Sequence, residues 1–486
     1  MGKKPQSHNN CEEPPPSGRR PLGNIAKRDV EAMAEDLVKF HALFQDLFVR
    51  REQREWSAFY LRGQLSDLER KTAEPMVLQL KGADTAAVRT LQQFLSLGTW
   101  NDDPILRRLE ELIAEDLGEA EASVILDGSG FPKQGTHSVG VARQYCGHLG
   151  KIANCQHAVF AAYTGSRGYT FLDRRLYMPE KWFDEAHTSL RTRYGVPDEL
   201  QFTTEPQLGL AMVKGLLARG KIPFRWVLAD ETYGADPKFL DGIEALGKWY
   251  FVEVPVSTML WVGAVEVEAA GQGPMGRPRK HARVAEETEP RQEARAVAAG
   301  LPARAWRRYR IKEGAKGAVE AEFAFVRVTR SNRGGRPGAA ATLVLRRSLE
   351  DRMVKVLLTN APGSCPKTRL ARLSGQRWPI ETAFEEAKGE VGMDHYEVRT
   401  WRGWHHHMTQ TFLAYYFLVR MRLRGKKSGA DTSAGETPAV GSATGKEPHG
   451  RTRHRNHHLP PGTELLSLSL TSPSNRRPSP EAPKAA

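Results

Sequence analysis

Two short apolar runs, each followed directly by an aspartate, constrain the fold of this chain most. Residues 123–126 read Ser-Val-Ile-Leu before Asp127, and residues 226–229 read Trp-Val-Leu-Ala before Asp230. Apolar runs of this length, bounded by turn-forming residues, are typical of buried strands. The Gly-Ser-Gly sequence after Asp127 predicts that the first strand ends at this acid. We therefore predict a mixed α/β fold for residues 122–250, with an acid at the end of two strands.

Composition indicates the size class of the protein and the classes of molecule that its surface attracts. The chain has 486 residues, of which 40% are hydrophobic, so it can build sizeable cores, and a small disulfide-stapled protein is excluded. Lysine and arginine number 71 against 57 acidic residues, which gives a net charge of +14. Such a surface attracts polyanions, with nucleic acid first and an anionic membrane surface second.

Cysteine usage and hydropathy give two further expectations. The four cysteines form no C-x-x-C pair, which argues against a disulfide framework or a structural zinc site and favours an intracellular protein. The longest apolar stretch, residues 412–419, is far shorter than a membrane-spanning helix. We therefore expect no membrane partner.

The chain divides by pattern into four parts. Residues 1–24 are polar and proline-rich, which predicts a disordered leader, and residues 25–120 show apolar positions at helical spacing. Residues 121–423 hold the mixed α/β pattern with a β-rich insert at about 250–350, and residues 424–486 read as a disordered basic tail.

The predicted helical segment carries basic residues between its apolar positions. They include four arginines of one stretch, Arg50, Arg51, Arg54 and Arg62. We interpret residues 25–120 as an all-α DNA-binding domain that recognises specific DNA ends. The alternative is a solvated helix face whose charges only keep the protein in solution.

A third acid, Glu381, lies in a predicted helix at residues 368–388. Arg377 precedes it by four residues and Lys388 follows it by seven, which places all three on one helix face. Carboxylates are the ligands that Mg²⁺ and Mn²⁺ prefer. Glu385, one turn after Glu381, and Glu231, beside Asp230, stay open as rival acids. Any single aspartate after a strand is more often a turn former or a helix cap than a ligand.

Three consecutive histidines, residues 405–407, invite a metal interpretation. Neighbouring residues on a helix point in different directions and lack the i, i+4 spacing of a chelating pair. We expect these histidines to contact DNA phosphate or to pack within the catalytic domain.

The segment from Arg377 to Lys388 spells R-x3-E-x6-K, and with it the sequence resembles the DDE transposases of bacterial insertion sequences. Residues 127–135 and 229–234 look like the first and second acid boxes of that family. The resemblance implies an RNase H-like catalytic domain in which Asp127, Asp230 and Glu381 bind two Mg²⁺ ions, with Mn²⁺ as a substitute. Arg377 and Lys388 would then contact DNA phosphates. The tyrosine of the family signature falls at Ser374, which is a departure from the pattern.

The function that the resemblance implies is transposition of an insertion sequence. It consists of cleavage at the transposon ends and joining of the freed 3′-OH to target DNA, with a hairpin intermediate in this branch of the family. The implied partners are double-stranded DNA, comprising terminal inverted repeats and target, and a second copy of the chain in a homodimer. The implied location is the cytoplasm, on the nucleoid. Two alternatives stay open: a catalytically inactive DNA-binding regulator and an RNase H-like nuclease without strand transfer.

Overall fold

The computed structural model describes residues 27–268, 270–271, 281–285, 288–314 and 317–433. The predicted leader lies outside these residues, as does the predicted tail beyond Ser433. Within the described ranges, no helix is both long enough and apolar enough to cross a membrane.

The chain from Lys27 to Leu117 is helical. Apolar residues at helical spacing form its packed face, where Leu37 and Phe40 are buried. Asp84 begins the fourth helix by accepting a 2.9 Å hydrogen bond from the Ala87 N–H, which would otherwise have no partner in the first turn. The five helices are α1 (Lys27–Ala42), α2 (Arg51–Gln64), α3 (Ala73–Lys81), α4 (Thr85–Ser96) and α5 (Asp103–Leu117).

Six strands follow and build the half of the sheet that holds the two aspartates. They are β1 (Ser123–Pro132), β2 (Ala142–Cys146), β3 (Lys151–Thr164), β4 (Tyr169–Tyr177), β5 (Trp226–Ala229) and β6 (Trp249–Glu253). β3 pairs antiparallel with β1, β2 and β4, whereas β5 runs parallel to β1 and β6 runs parallel to β5. The apolar runs of β1 and β5 are fully buried, as both faces of a covered sheet require.

Helices connect the parallel strands. They are α6 (Thr188–Tyr194), α7 (Glu205–Arg219), α8 (Glu231–Gly234) and α9 (Pro237–Ala245). α7 lies against β3 and β4, and α8 and α9 lie against β6. This mixed α/β arrangement fits the predicted RNase H-like fold.

The end of β1 differs from the expectation. The strand does not stop at Asp127 but continues to Pro132 along β3. A Cβ at Gly128 would lie 2.5 Å from His157 Nε2, and one at Gly130 would lie 2.8 Å from Cys146 Sγ. These glycines therefore permit close packing inside a strand, and they do not form a turn.

The β-rich segment after β6 extends the same sheet. Its elements are β7 (Met259–Val262), β8 (Val267–Glu268), β9 (Arg283–Val284), β10 (Gln292–Glu293), α10 (Ala294–Gly300), β11 (Arg307–Gly314), β12 (Gly317–Asn332), β13 (Arg336–Arg347) and β14 (Val354–Thr359). The order across the sheet is β10-β7-β12-β13-β14-β6-β5-β1-β3-β2, with β11 on β12 and β4 on β3, whereas β8 and β9 pair with each other in a separate two-stranded sheet. β14 joins the two halves because it pairs antiparallel with β6.

The predicted helix at residues 368–388 is in fact two helices. α11 (Lys367–Leu373) ends before Gly375, and α12 (Trp378–Val391) starts anew with Pro379 in its first turn. A Cβ at Gly375 would lie 2.5 Å from Ile311 Cγ2, so this residue lets the chain approach β11 closely. Proline is well placed in a first turn but not in a helix interior, which explains the break.

The last helix, α13 (Trp401–Ser433), packs against both the N-terminal helices and the sheet. Tyr60 of α2 and Nδ1 of His407 are 2.8 Å apart, and the amide of Gln64 donates to Thr411 Oγ1 at 2.8 Å. His406 stacks on Trp100 with ring centres 3.6 Å apart. The α13 side chains thus join the two parts of the chain in one continuous core.

Two of the three consecutive histidines of α13 belong to this core. His406 and His407 are buried, and their ring nitrogens lie 2.9 to 3.0 Å from backbone carbonyls of Leu95, Trp100 and Met393. Burial lowers the pKa of His407 to about 3, so its ring is neutral. The expectation of packing is confirmed for this pair, and neither ring is open to a DNA phosphate.

Candidate active site

Three acids lie at one level across three parallel strands. In the register of the sheet, Leu126 lies beside Ala229, and Ala229 lies beside Val252. The residues one position further along the chain are Asp127 in β1, Asp230 directly after β5, and Glu253 at the end of β6. Because neighbouring strands are about 4.8 Å apart, residues at one level of parallel strands are close neighbours. The sheet thus brings the two predicted aspartates together and adds a glutamate to them.

The backbone holds the second aspartate in place. Asp230 follows the last residue of β5 and is the N-cap of α8, where its Oδ1 accepts a 2.9 Å hydrogen bond from the Thr232 N–H. Glu231, the rival acid, lies exposed in the first turn of α8. Capping and strand position together fix Asp230 beside Asp127.

Arg377 links the first aspartate to the helical acid. Its Nη1 lies 2.8 Å from Asp127 Oδ2, and its Nη2 lies 2.9 Å from Glu381 Oε1. Its Nε is 4.0 Å from Glu253 Oε1. Arg377 directly precedes α12, and Glu381 stands in the first turn of that helix. The structure therefore gathers Asp127, Arg377 and Glu381 at one point, although they are far apart in the sequence.

The other predicted residues of α12 lie elsewhere. Glu385 is exposed, whereas its rival Glu381 reaches the arginine. The Lys388 ammonium lies 5.3 Å from the ring centre of Phe131, further along β1 than Asp127. Burial lowers the pKa of Lys388. Lys388 thus stands near the site but does not join the carboxylates.

Ser374, at the position of the signature tyrosine, is engaged locally. Its hydroxyl donates to the Ala371 carbonyl at 2.7 Å, and its own carbonyl accepts from Arg346 at 3.4 Å. The hydroxyl therefore closes the end of α11.

The electrostatics of the acids reflect their crowding. Burial raises the pKa of Asp127 to about 7, the carboxylates of Asp230 and Glu381 add to the rise, and Arg377 opposes it. Burial also raises the pKa of Asp230. With Glu253, the cluster has four carboxylates against two cations, Arg377 and the Lys355 that pairs with Glu253, so it has an excess of negative charge. Such an excess favours the binding of a further cation.

The donor chemistry of the cluster fits a divalent metal ion. All four acids offer hard oxygen ligands, and three of them, Asp127, Glu253 and Glu381, already contact one cation, Arg377. Across the residues that the structure describes, no three His, Cys, Asp or Glu side chains form a ready metal site. The guanidinium of Arg377 lies between Asp127 and Glu381 and contacts both.

Sequence reasoning missed two features of this region. Glu253 is the last residue of the apolar strand β6, so the pattern of an apolar run before an acid could have found it. The second feature is a pair beside Gly128, in which His157 Nε2 lies 3.1 Å from Glu205 Oε2. Its two residues belong to β3 and α7, and no local pattern in the sequence relates them.

Comparisons with known proteins agree with this geometry. The family model described as "DDE superfamily endonuclease" matches residues 42–318, which is more than half of the chain and includes Asp127, Asp230 and Glu253. The chain is also 32% identical over 219 residues to the "Probable transposase for insertion sequence element IS701" of Microchaete diplosiphon. That match covers 44% of this chain and 51% of the relative, so the chain spans about half the length of this curated protein. The resemblance seen in the sequence motifs is confirmed, and the chain belongs to the DDE superfamily endonuclease family.

Proposed function

We propose that this protein is the transposase of an insertion sequence, which cleaves DNA at the transposon ends and transfers the freed 3′-OH strands to target DNA. The observation that carries the proposal is the convergence of Asp127, Asp230 and Glu381 at one edge of the sheet, around Arg377. The similarity to a probable insertion-sequence transposase supports it. The proposed setting is the nucleoid in the cytoplasm, and the proposed active form is a homodimer.

Asp127, Asp230 and Glu381 are the proposed ligands of two Mg²⁺ ions, with Mn²⁺ as a substitute. The chemistry that such ions supply is activation of an attacking oxygen and stabilisation of the leaving oxygen at a phosphodiester. The excess of carboxylates over cationic groups supports this assignment. Glu381 retains substantial solvent contact, with a side chain that is 48% exposed, and it is therefore accessible to ligands from outside.

The basic residues of α12 have separate proposed tasks. Arg377 presents a planar guanidinium, which matches the geometry of a phosphate group. Lys388, beside Phe131, offers a compact charge further along β1. Both would neutralise DNA phosphates near the cut. The hairpin intermediate belongs to the proposal as well, although its signature tyrosine is replaced by Ser374.

The N-terminal helices are the proposed reader of the transposon ends. Arg50 and Arg62 are exposed and form no ion pair within the described part of the chain. Arg51 pairs with Glu55 at 2.8 Å, and Arg54 donates to the Phe48 carbonyl at 3.1 Å. We therefore assign the phosphate contacts first to Arg50 and Arg62.

The test compares cleavage and binding of DNA that carries the inverted repeats bracketing the reading frame. Asp127→Asn and Glu381→Gln should each lower Mg²⁺-dependent nicking by about a thousand-fold or more, while gel-shift binding stays within a few-fold of the wild type. A Glu385→Gln variant serves as the control on the same helix and should retain nicking.

Three outcomes would contradict the proposal in different ways. Nicking without any 3′-end joining would make the protein a nuclease of the RNase H-like type. DNA binding without nicking by the wild type would make it an inactive regulator. Equal loss of binding and nicking in Asp127→Asn would give this residue a structural role.

A further inference from the structure

Arg377 stands where a metal ion would need to approach the acids. Its two terminal nitrogens engage Asp127 Oδ2 at 2.8 Å and Glu381 Oε1 at 2.9 Å. The contact with Asp127 is a charge-assisted hydrogen bond, which is strong, and the contact with Glu381 is a close ion pair. A divalent ion that uses the same oxygens therefore has to displace the arginine from at least one of them.

We propose that Arg377 is an internal counter-ion that competes with the divalent cation in the DNA-free protein, and that a DNA phosphate removes this competition by taking over the guanidinium. The inference rests on the proposed function, because it treats Asp127, Asp230 and Glu381 as metal ligands and Arg377 as a phosphate contact. Its consequence is that DNA and metal bind cooperatively. By thermodynamic reciprocity, each strengthens the binding of the other by the same factor.

The position of Arg377 allows it to change partners. The residue precedes α12, whose first residue is Trp378, so its side chain is not confined by a helical turn on its N-terminal side. The Arg377 side chain is 26% exposed, in contrast to arginines buried in the core. A phosphate can therefore reach the guanidinium from solvent while the rest of α12 stays packed.

Glu253 provides a site at which the guanidinium can be retained. Its Oε1 lies 4.0 Å from Arg377 Nε and 3.5 Å from Lys355 Nζ, at the end of the strand next to Asp230. The terminal nitrogens Nη1 and Nη2 contact Asp127 and Glu381, and it is Nε that faces Glu253. When the two terminal nitrogens turn to a phosphate, Glu253 can still hold the arginine near the site. Glu253 is therefore a positioning residue for Arg377.

The test measures Mn²⁺ binding by the full chain without DNA, from the electron paramagnetic resonance signal of free Mn²⁺. Arg377→Ala should bind Mn²⁺ at least about five-fold more tightly than the wild type, because the competing cation is gone. Arg372→Ala is the matched control. Arg372 is an exposed arginine of α11 that forms no ion pair among the described residues, and its loss should leave the affinity unchanged.

The second arm adds a duplex that carries the inverted repeat bracketing the reading frame. The duplex should raise the Mn²⁺ affinity of the wild type by about the same factor as the alanine substitution does, and it should raise that of Arg377→Ala much less. Arg377→Lys keeps the charge but cannot bridge two carboxylates, so its affinity without DNA should lie between those of the wild type and Arg377→Ala.

Equal or weaker Mn²⁺ binding by a folded Arg377→Ala overturns the inference, as does a duplex that leaves the wild-type affinity unchanged. If thermal melting shows that Arg377→Ala is unfolded, Arg377→Lys decides by the same criterion. Failure of the proposed function has a different signature. In that case Asp127→Asn would bind Mn²⁺ as well as the wild type does, whatever the result for Arg377.

Discussion

Two aspartates of this protein each contact an arginine, and their proton affinities change in opposite directions. Asp102 pairs with Arg174, which is only 2% exposed and also donates to Thr409 Oγ1 at 2.9 Å. Burial alone would raise the pKa of Asp102, but Arg174 together with His405 and His406 outweighs it and lowers the pKa to about 2. Asp127, in contact with Arg377, has a pKa raised to about 7.

The difference lies in how many acids share each arginine. Two acids, Asp102 and Asp173, contact Arg174, a second arginine, Arg175, also contacts Asp173, and the carbonyl of His405 and the hydroxyl of Thr409 accept hydrogen bonds from Arg174. Arg377 contacts Asp127, Glu381 and Glu253, and Asp230 lies close enough to add to its field. The first network is balanced and supports the core, whereas the second has unbalanced charge. An unbalanced cluster at a sheet edge is the more informative sign of a functional site.

Removal of the two arginines should therefore have unequal effects on stability. Arg174→Ala should lower the free energy of unfolding by about 3–5 kcal/mol, because it leaves Asp102 without its ion-pair partner. Arg377→Ala should lower it by about 1 kcal/mol or less, since water reaches this site and Asp127 can take up a proton. Urea unfolding in the presence of a chelator measures both. Equal losses would remove the distinction between the two clusters.

The pH dependence of stability should separate the two aspartates. The folded chain keeps a proton on Asp127 up to about pH 7, whereas the unfolded chain releases it near about pH 4. The stability that this proton gives is fully present below the unfolded pKa and is lost as the pH rises to about 7. Relative to Asp127→Asn, the wild type should lose roughly 2–4 kcal/mol over this interval.

The same experiment on Asp102 should give the opposite slope. Because its folded pKa is lowered to about 2, its contribution is present above the unfolded pKa and is lost as the pH falls towards 2. The difference in free energy of unfolding between the wild type and Asp102→Asn should therefore shrink by roughly 2 kcal/mol on acidification. Parallel curves for either variant and the wild type would contradict the assigned shift.

A smaller effect is expected at Glu253. Glu253→Gln should weaken Mn²⁺ binding of the DNA-free chain by about two- to five-fold, because the cluster loses one negative charge and a displaced Arg377 loses the carboxylate that can retain it. Glu385→Gln, an exposed acid of the same region, is the control and should bind as the wild type does. Tighter binding by Glu253→Gln would show that Glu253 does not position Arg377.

The smallest effect concerns arginines at the surface. Arg62→Ala should reduce the salt dependence of DNA binding by about 0.9 in the log-log slope, the loss of one phosphate contact. Arg51→Ala should change it less, because Arg51 is already paired with Glu55. Filter binding over a range of salt concentrations measures both slopes. Identical slopes for both variants and the wild type would exclude α2 from DNA binding.

The sequence predicts a site residue correctly where its position depends only on neighbouring residues in the chain. The apolar run before Asp230 predicts a strand that ends at the acid, and β5 ends there. The same reasoning failed at Asp127 because Gly128 and Gly130 were interpreted as turn residues. Their meaning depends on His157 and Cys146, which pack against them from neighbouring strands. A glycine that permits close approach cannot be told from a turn former without the partner.

The features of the site that the sequence did not predict depend on contacts between residues far apart in the chain. The ion pair between Asp127 and Arg377 connects residues 250 positions apart, and no spacing rule encodes it. The break between α11 and α12 depends on the approach of Gly375 to Ile311. Glu253 also follows an apolar run, and its place beside Asp230 depends on the pairing of β6 with β5. These contacts form when the sheet assembles, because only then do acids that are distant in the sequence come together around Arg377.

The course of α13 has a mechanical consequence. It contacts α2 and α4 on one side, and on the other its Tyr415 and Arg422 hold Glu386 of α12 at 2.7 and 2.8 Å. α12 in turn carries Glu381. A displacement of the N-terminal helices would therefore be passed through α13 to α12 and to Glu381, five residues before Glu386. If the N-terminal helices bind DNA, as proposed, their position and that of the Glu381 carboxylate would change together.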